Sequence, residues 1–600
     1  MTSPPAPADP LARLAAAHGV ATSYEDWAGT PVPVSPDAVV SALAALGVEA
    51  GSDDAVAVAL QEVQDAPWRR LLPPSLVVRG PGGTVEVRAP EDADVVLTVL
   101  LEDGSEVDLE AGAPAERRSG RVLRTAALPE LPLGWHRLRA AAGDETDEAV
   151  LVVAPERIES REGRSWGWMV QLYSLRSAQS WGLGDYGDLR TVVASTAADG
   201  AGVVLLNPLH AETPVLPLNP SPYSPSSRRF RSALYLRVQD VPEHAAAPAE
   251  LQAQVAALRP ESDPDRIARD PAFTAKLAAL ELLWPHHRED ALAAFRAERG
   301  QELEDVALFF ALAEVHGTPW QEWPEDLRRP DAPGIEAARE AHADRVGFWC
   351  WVQLLVDEQL AAVTEAAGPM AVGVVHDLAV GVDAGGADAW ALQDSLALGT
   401  TVGAPPDSFN QQGQDWGLPP WRPDRLREQG YAPYRSLVQG VLRHAGGLRI
   451  DHVMGLFRLW WVPQGRSAAE GTYVSYDADA MLGVLALEAV RAGVVVVGED
   501  LGTVEDRVRT SLERTGVLGS AVLWFETDED TGSPLPPSQW REAALATVTT
   551  HDLPTAAGFL AEEHVRVRDE LGQLGVPVEQ ERARARAERE ALLAMLEAEG

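Results

Sequence analysis

Gly447-Leu448-Arg449-Ile450-Asp451-His452 is a short apolar strand that carries an arginine and an aspartate to its C-terminal end. Side chains alternate along a strand, so Arg449 and Asp451, two residues apart, share one face. Gly455 and the aromatic run from Phe457 to Trp461 come next. A parallel barrel presents carboxylates to its cleft in this way, from the C-terminal ends of its strands. A single strand-end aspartate is weak evidence, because aspartates also cap turns. Two later stretches repeat the pattern. Val494-Val495-Val496-Val497-Gly498-Glu499-Asp500 is too short for a helix and reads as a buried parallel strand ending in acids. Leu545-Ala546-Thr547-Val548-Thr549-Thr550-His551-Asp552 ends in a His-Asp pair. Each interval leaves room for a crossover helix. The spacing therefore predicts an α/β chain, a (β/α)8 TIM barrel with helical insertions, whose three acids meet on one face. Glycoside chemistry uses such a group: an ionised carboxylate as nucleophile, a protonated one as acid and then base, and often a third that grips sugar hydroxyls.

The barrel's earlier half is legible upstream of this strand. Trp166 to Leu175 is its first strand, residues 180–188 a loop, 189–199 a helix and Gly202 to Leu209 the second strand, which makes a βαβ unit. The loop from Ser221 to Ser227 presents Tyr223, which either stacks on a sugar ring or packs the loop down. Charged, alanine-rich segments over about 240–345 read as an α-helical insertion. The strand Val372 to Leu378 then delivers Asp377, and the loop Val382 to Trp390 offers Asp383, Asp388 and Trp390. A loop over 403–419 combines Asp407, Gln414 and Trp416 with rigid prolines and flexible glycines. Sugars bind through ring faces on aromatics and hydroxyls on amides and carboxylates, and this loop has all three.

Three regions result. Residues 1–72 form a helical region, in which Ser35 caps a helix that starts at Pro36 and stops before Gly47. Residues 73–157 alternate and carry turn signals, which predicts a β-sandwich-like accessory domain that either binds carbohydrate or only packs on its neighbour. Residues 158–600 hold the barrel.

The 50 basic and 90 acidic residues give a net charge of -40, against nucleic acid or an anionic membrane as partner and in favour of a neutral substrate. No basic leader precedes an apolar core, and no stretch reaches the ~18 apolar residues of a membrane span, so a cytoplasmic protein is expected. Cys350 is the sole cysteine. With dispersed histidines, no metal cluster is visible and no metal or other cofactor is expected.

Residues 160–560 resemble the amylomaltases, 4-alpha-glucanotransferases related to disproportionating enzyme (glycoside hydrolase family seventy-seven). The resemblance rests on Ser-Trp-Gly-Leu-Gly-Asp-Tyr-Gly-Asp at 180–188, Ser-Pro-Tyr at 221–223, Gly-Ala-Pro-Pro-Asp at 403–407, Gly-Gln-Asp-Trp-Gly at 413–417, Leu-Arg-Ile-Asp-His at 448–452, Gly-Glu-Asp-Leu-Gly at 498–502 and Thr-His-Asp at 550–552. It implies a retaining transferase acting on alpha-1,4-glucans, with Asp451 as nucleophile, Glu499 as acid/base and Asp552 supporting the transition state. Tyr223, Asp407, Gln414, Trp416 and His551 match family positions that contact the glucan, Arg449 would keep the Asp451 carboxylate ionised by its charge, and Arg449 with the strand-end and loop acids Asp377 and Asp383 completes the expected substrate-binding set. An alpha-1,4-glucan hydrolase and a non-catalytic glucan-binding protein are the rival readings. Two departures from the family concern loop geometry. Ser-Ala-Leu-Tyr at 232–235 stands where the family commonly has Asn-Pro before its apolar pair, and His376 and Ala379 replace a usual Gly and Pro. Family members also continue into an eighth strand and an Asn-Tyr-Pro-Gly or Asn-Val-Pro-Gly block that this sequence lacks. The expectation is therefore a catalytic domain incomplete at its C-terminus, with an exposed apolar edge near Met169.

Overall fold

The computed structural model describes residues 9–599 apart from 27–28, 160, 162, 262, 264, 408–409, 411, 503, 529–530 and 552. The chain divides into two compact units, Met1–Val495 and Val496–Gly600.

The first unit opens with the helices Pro10–Ala17, Pro36–Ala45 and Asp53–Asp65. Ser35 Oγ accepts the Ala38 N–H (3.2 Å), and Pro36 occupies a first-turn position whose N–H would have no helical partner. A two-stranded antiparallel ribbon, Ser23–Glu25 with Pro31–Pro33, interrupts this otherwise helical region. From Ser75 to Ala154 the chain forms a five-stranded and a three-stranded sheet. Alternate residues turn inward, among them Val85, Val87, Leu97, Val99, Leu138 and Leu151, and fill the space between the sheets.

The sandwich is joined to helix Ala478–Ala492 by polar and apolar contacts. The Trp135 indole donates to Glu488 (2.6 Å), Gln439 donates to the other oxygen of that carboxylate (2.9 Å), and the Arg435 guanidinium lies 4.5 Å from the Trp135 ring. Val152, Ala154 and Leu487 form a small buried cluster beside them.

Four parallel strands follow in register: Gly167–Val170, Val203–Leu206, Gly373–Leu378 and Gly447–Ile450. A fifth, Val495–Gly498, begins where the first unit ends, its Val495 N–H donating to Gly446 O (3.4 Å). Gly446 is needed because a Cβ there would lie 1.9 Å from Val372 O. Gly167–Val170 is an edge strand of this sheet, and Trp166, Trp168 and Met169 are exposed along it. The described pairings give an open parallel sheet, and eight-stranded closure is not among them. Between the second and third strands run the helices of the insertion, from Pro242–Ala246 to Ile335–Ala341, and then Ala343–Ala366, which returns the chain to the sheet. Glu289–His316 and Ala343–Ala366 pack against each other, with Phe310 edge-on to Trp349 at 5.3 Å, and Phe309, Phe348 and Trp351 are buried in the same core. Cys350 lies in this core, and burial pushes its thiol up to about 12, so it is no nucleophile.

Residues 403–419, read as a loop, are largely a β-hairpin. Thr400–Ala404 pairs antiparallel with Gln414–Leu418 and with Arg458–Pro463, the strand built from the aromatic run after Asp451. Gly403 permits the pairing, since a Cβ there would sit 2.0 Å from Gln414 O. The many glycines and prolines that suggest a loop mark close backbone approach and hairpin ends instead.

The second unit continues the parallel pattern. Leu518 N–H donates to Val496 O (2.9 Å), Gly498 N–H donates to Leu518 O (2.8 Å), and Gly519–Val522 pairs with Ala544–Thr547. Beyond Thr547 the described secondary-structure elements are the helices Ala556–Leu560, Glu563–Glu570 and Val578–Glu599. No helix of the described residues is long and apolar enough to cross a membrane.

Candidate active site

The strand Gly447–Ile450 places Arg449 and Asp451 on one face, and the strand paired with it helps to hold them. Asp451 N–H donates to Leu378 O (3.0 Å), which extends the pairing with Gly373–Leu378 by one residue. Arg449 Nη1 donates to two carboxylates, to Asp377 Oδ1 at 2.7 Å and to Asp451 Oδ1 at 3.1 Å. Asp377 is buried, and its second oxygen accepts the Tyr223 hydroxyl (2.7 Å). Tyr223 is thus fixed by a charge-assisted bond and not by packing alone. Burial, and then the Asp377 charge, raises its phenol well above the ordinary range, which keeps the hydroxyl a donor. Burial opposes the charge on Arg449. Asp377 and then Asp451 outweigh that cost and lift its pKa further, so the guanidinium stays cationic and favours an ionised Asp451.

The chain leaves Asp451 through His452, a non-glycine residue in the left-handed region (φ 49°). That backbone costs roughly 1–2 kcal/mol and starts the short 3-10 turn Val453–Leu456, which leads to the Arg458–Pro463 strand. The His452 ring meets Trp416 edge-on at 5.4 Å, and Trp416 donates its indole N–H to Gln414 (3.2 Å). Burial pushes His452 down to about 4, so the imidazole is neutral at pH 7. The hairpin thus brings Gln414 and Trp416 to the residue after Asp451. Asp407, in the turn of that hairpin, accepts the Asn410 N–H (2.6 Å). Asp383 tethers the Tyr223 loop through its backbone, its N–H donating to Pro225 O (2.8 Å), and its side chain caps Gly385 (2.8 Å).

Two other residues of the Asp383 loop do not face a cleft. Asp388 is buried and accepts from Ser227 Oγ, Arg228 N–H and Arg229 Nε (2.8, 2.8 and 2.9 Å). Trp390 is wholly buried with its indole N–H on Leu327 O (3.0 Å). Both sit in the short helix Ala387–Ala391, whose inward face needs an apolar ring and a partner for the buried arginine.

In the second unit, Glu499 follows strand Val495–Gly498 and accepts the Leu501 N–H on Oε1 (2.8 Å). Its neighbour Asp500 is buried in a two-pronged ion pair with Arg541 (2.7 and 2.9 Å) and accepts the Ser520 N–H (2.9 Å). Arg541 has no motif around it in the sequence, yet the alternation of strand side chains allows only one of two adjacent acids to face the same way. Asp500 is the anchor, and Glu499 is left at the strand end. His551 is exposed beyond Ala544–Thr547, and Asp552 lies outside the described residues.

Comparison with known proteins gives matches to both major regions. The family described as 4-alpha-glucanotransferase, glycoside hydrolase family 77, matches residues 170–600, and the MalQ N-terminal beta sandwich domain matches residues 71–155. A 4-alpha-glucanotransferase of Mycobacterium tuberculosis (strain ATCC 25618 / H37Rv) is 49% identical, over 98% of this chain and 85% of that protein. One from Haemophilus influenzae is 35% identical over 76% of this chain and 68% of its own. The crystal structure of amylomaltase from Corynebacterium glutamicum superposes with a TM-score of 0.88 at 39% identity, covering 98% of this chain and 85% of that one.

Proposed function

This chain belongs to the 4-alpha-glucanotransferase family, glycoside hydrolase family 77, and from that premise we propose a retaining double displacement carried by Asp451, Glu499 and Asp552. The chain is a 4-alpha-glucanotransferase, and its parallel strands are those of a (β/α)8 barrel. The observation that carries the assignment is the Arg449 guanidinium bridging Asp377 and Asp451, because a nucleophilic carboxylate must be ionised.

Asp451 attacks the anomeric carbon of an alpha-1,4-glucan while the Glu499 carboxyl protonates the departing oxygen. The acceptor 4-hydroxyl then gives its proton to Glu499 and takes the chain from Asp451, so the configuration is retained. Asp552 binds the hydroxyls of the reacting sugar. Tyr223, Gln414 and Trp416 supply a ring edge, an amide and an aromatic face to the glucan beside Asp451, and Asp377, Asp383, Asp407 and His551 add polar partners for its hydroxyls. No step in this scheme calls for a cofactor.

Incubation of the purified protein with maltotriose and analysis of the sugars tests the reading. Transfer yields free glucose together with a ladder of longer maltooligosaccharides. Maltose and glucose alone would mean that water takes the chain and the protein is a hydrolase.

A further inference from the structure

The turn that leaves strand Gly373–Leu378 is held by two buried residues with no part in the chemistry above. Arg228 Nη1 donates to Ala379 O (2.9 Å) and to Val380 O (2.7 Å), and the Arg228 backbone N–H donates to Asp388 (2.8 Å). Ala379 in turn donates its N–H to Nε2 of His210 (3.3 Å). Only 1% of Ala379, 4% of Arg228 and 6% of His210 is exposed, so solvent offers none of these groups another partner.

His210 Nε2 can accept only while it carries no proton. Burial first, and then the charges of Arg231, Arg228 and His376, hold its pKa well below the ordinary value, against a backbone hydrogen bond with Arg228 that raises it. The guanidinium charge that clamps the turn therefore favours the unprotonated ring nitrogen that accepts from Ala379. Ala379 itself needs this support. A proline would fix φ and bring no N–H, whereas alanine leaves the backbone freer and adds a buried donor that must be bonded.

Asp377 lies two residues before Ala379 and receives both Arg449 and Tyr223, and Arg449 also holds Asp451. Resting on the functional reading above, we infer that His210 and Arg228 are positioning residues for glucan transfer. They fix the exit turn after Leu378 and, through Asp377 and Arg449, the orientation of the Asp451 carboxylate. Displacing a reacting group by a fraction of an ångström to an ångström can cost up to about a hundredfold in rate.

The test uses the full chain, with kcat and KM for maltotriose measured per folded enzyme. His210→Leu removes the acceptor and is expected to lower kcat roughly tenfold or more with KM nearly unchanged. His210→Gln, whose amide oxygen can accept the same N–H, is expected to retain most of the turnover. The pair His210→Leu and Ala379→Pro removes acceptor and donor together and is expected to recover kcat, an effect that general loss of packing would not produce. Arg228→Lys, which can serve fewer carbonyls, is expected to lose kcat in the same direction. Wild-type kcat in His210→Leu, or no recovery in the double variant relative to His210→Leu, overturns the inference. If His210→Leu does not fold, the Ala379→Pro background decides: adding His210→Leu must leave kcat within about threefold of Ala379→Pro alone, and a larger drop overturns the inference. A wild-type enzyme that leaves maltotriose untouched would instead sink the functional reading, so the two failures are distinct.

Discussion

Asp451→Asn and Glu499→Gln should each lower transfer from maltotriose by about a hundredfold or more while leaving the protein folded. Both replacements keep the shape and an acceptor oxygen. The amide oxygen of an asparagine in place of Asp451 can still accept from Arg449, and that of a glutamine in place of Glu499 can still accept the Leu501 N–H. What is lost is chemistry. An amide is a far poorer nucleophile than the Asp451 carboxylate, and an amide in place of the Glu499 carboxyl can neither give nor take the proton. Kinetics on maltotriose, with a circular dichroism spectrum and thermal midpoint for each variant, check this. Either variant keeping more than about a tenth of wild-type turnover would remove that residue from its assigned role.

Arg449→Met should be among the most destabilising single changes in the first unit, by about 3 kcal/mol, and should also abolish most activity. Methionine fills much of the same volume, so the loss is not chiefly one of packing. The charge is what matters, because one guanidinium nitrogen serves the buried Asp377 and the partly exposed Asp451 together. Removing it leaves two neighbouring carboxylates without their shared cation, and one must take a proton or draw in water. Denaturant unfolding of the variant measures the first effect and maltotriose turnover the second. A stability within about 0.5 kcal/mol of wild type would mean that other groups hold these acids, and that Arg449 is not the centre of the network.

The strands that carry the proposed catalytic acids are legible in the sequence because their signals are redundant. Val494 to Val497 can hardly be anything but a buried strand, and the Arg449–Asp451 spacing puts both side chains on one face by alternation alone. The Tyr223 loop is legible as a loop, but its purpose is not, since the hydroxyl bond to Asp377 joins residues 154 positions apart. Residues 403–419 read as a loop, and fold as a hairpin, for a physical reason. Glycine and proline mark irregular backbone in local statistics, whereas here they allow strands to approach closely. Asp388 and Trp390 look available beside Asp383 because a sequence does not say which way a short helix faces. The buried Arg228 and Arg229 that claim Asp388 come from the Ser227–Arg231 strand, where charged residues would ordinarily be taken as exposed. The pairing of Arg541 with Asp500 is equally invisible, although it decides which acid of the Glu499-Asp500 pair is left at the strand end.

Trapping the glycosyl enzyme tests the central claim most directly. The Glu499→Gln variant is incubated with an alpha-maltosyl fluoride, whose leaving group needs little acid help, quenched in acid, digested and analysed by mass spectrometry. The account predicts a maltosyl adduct on the peptide that contains Asp451, localised to the Asp451 side chain by fragmentation. An adduct on another carboxylate, or products of inverted anomeric configuration with no adduct, would contradict it.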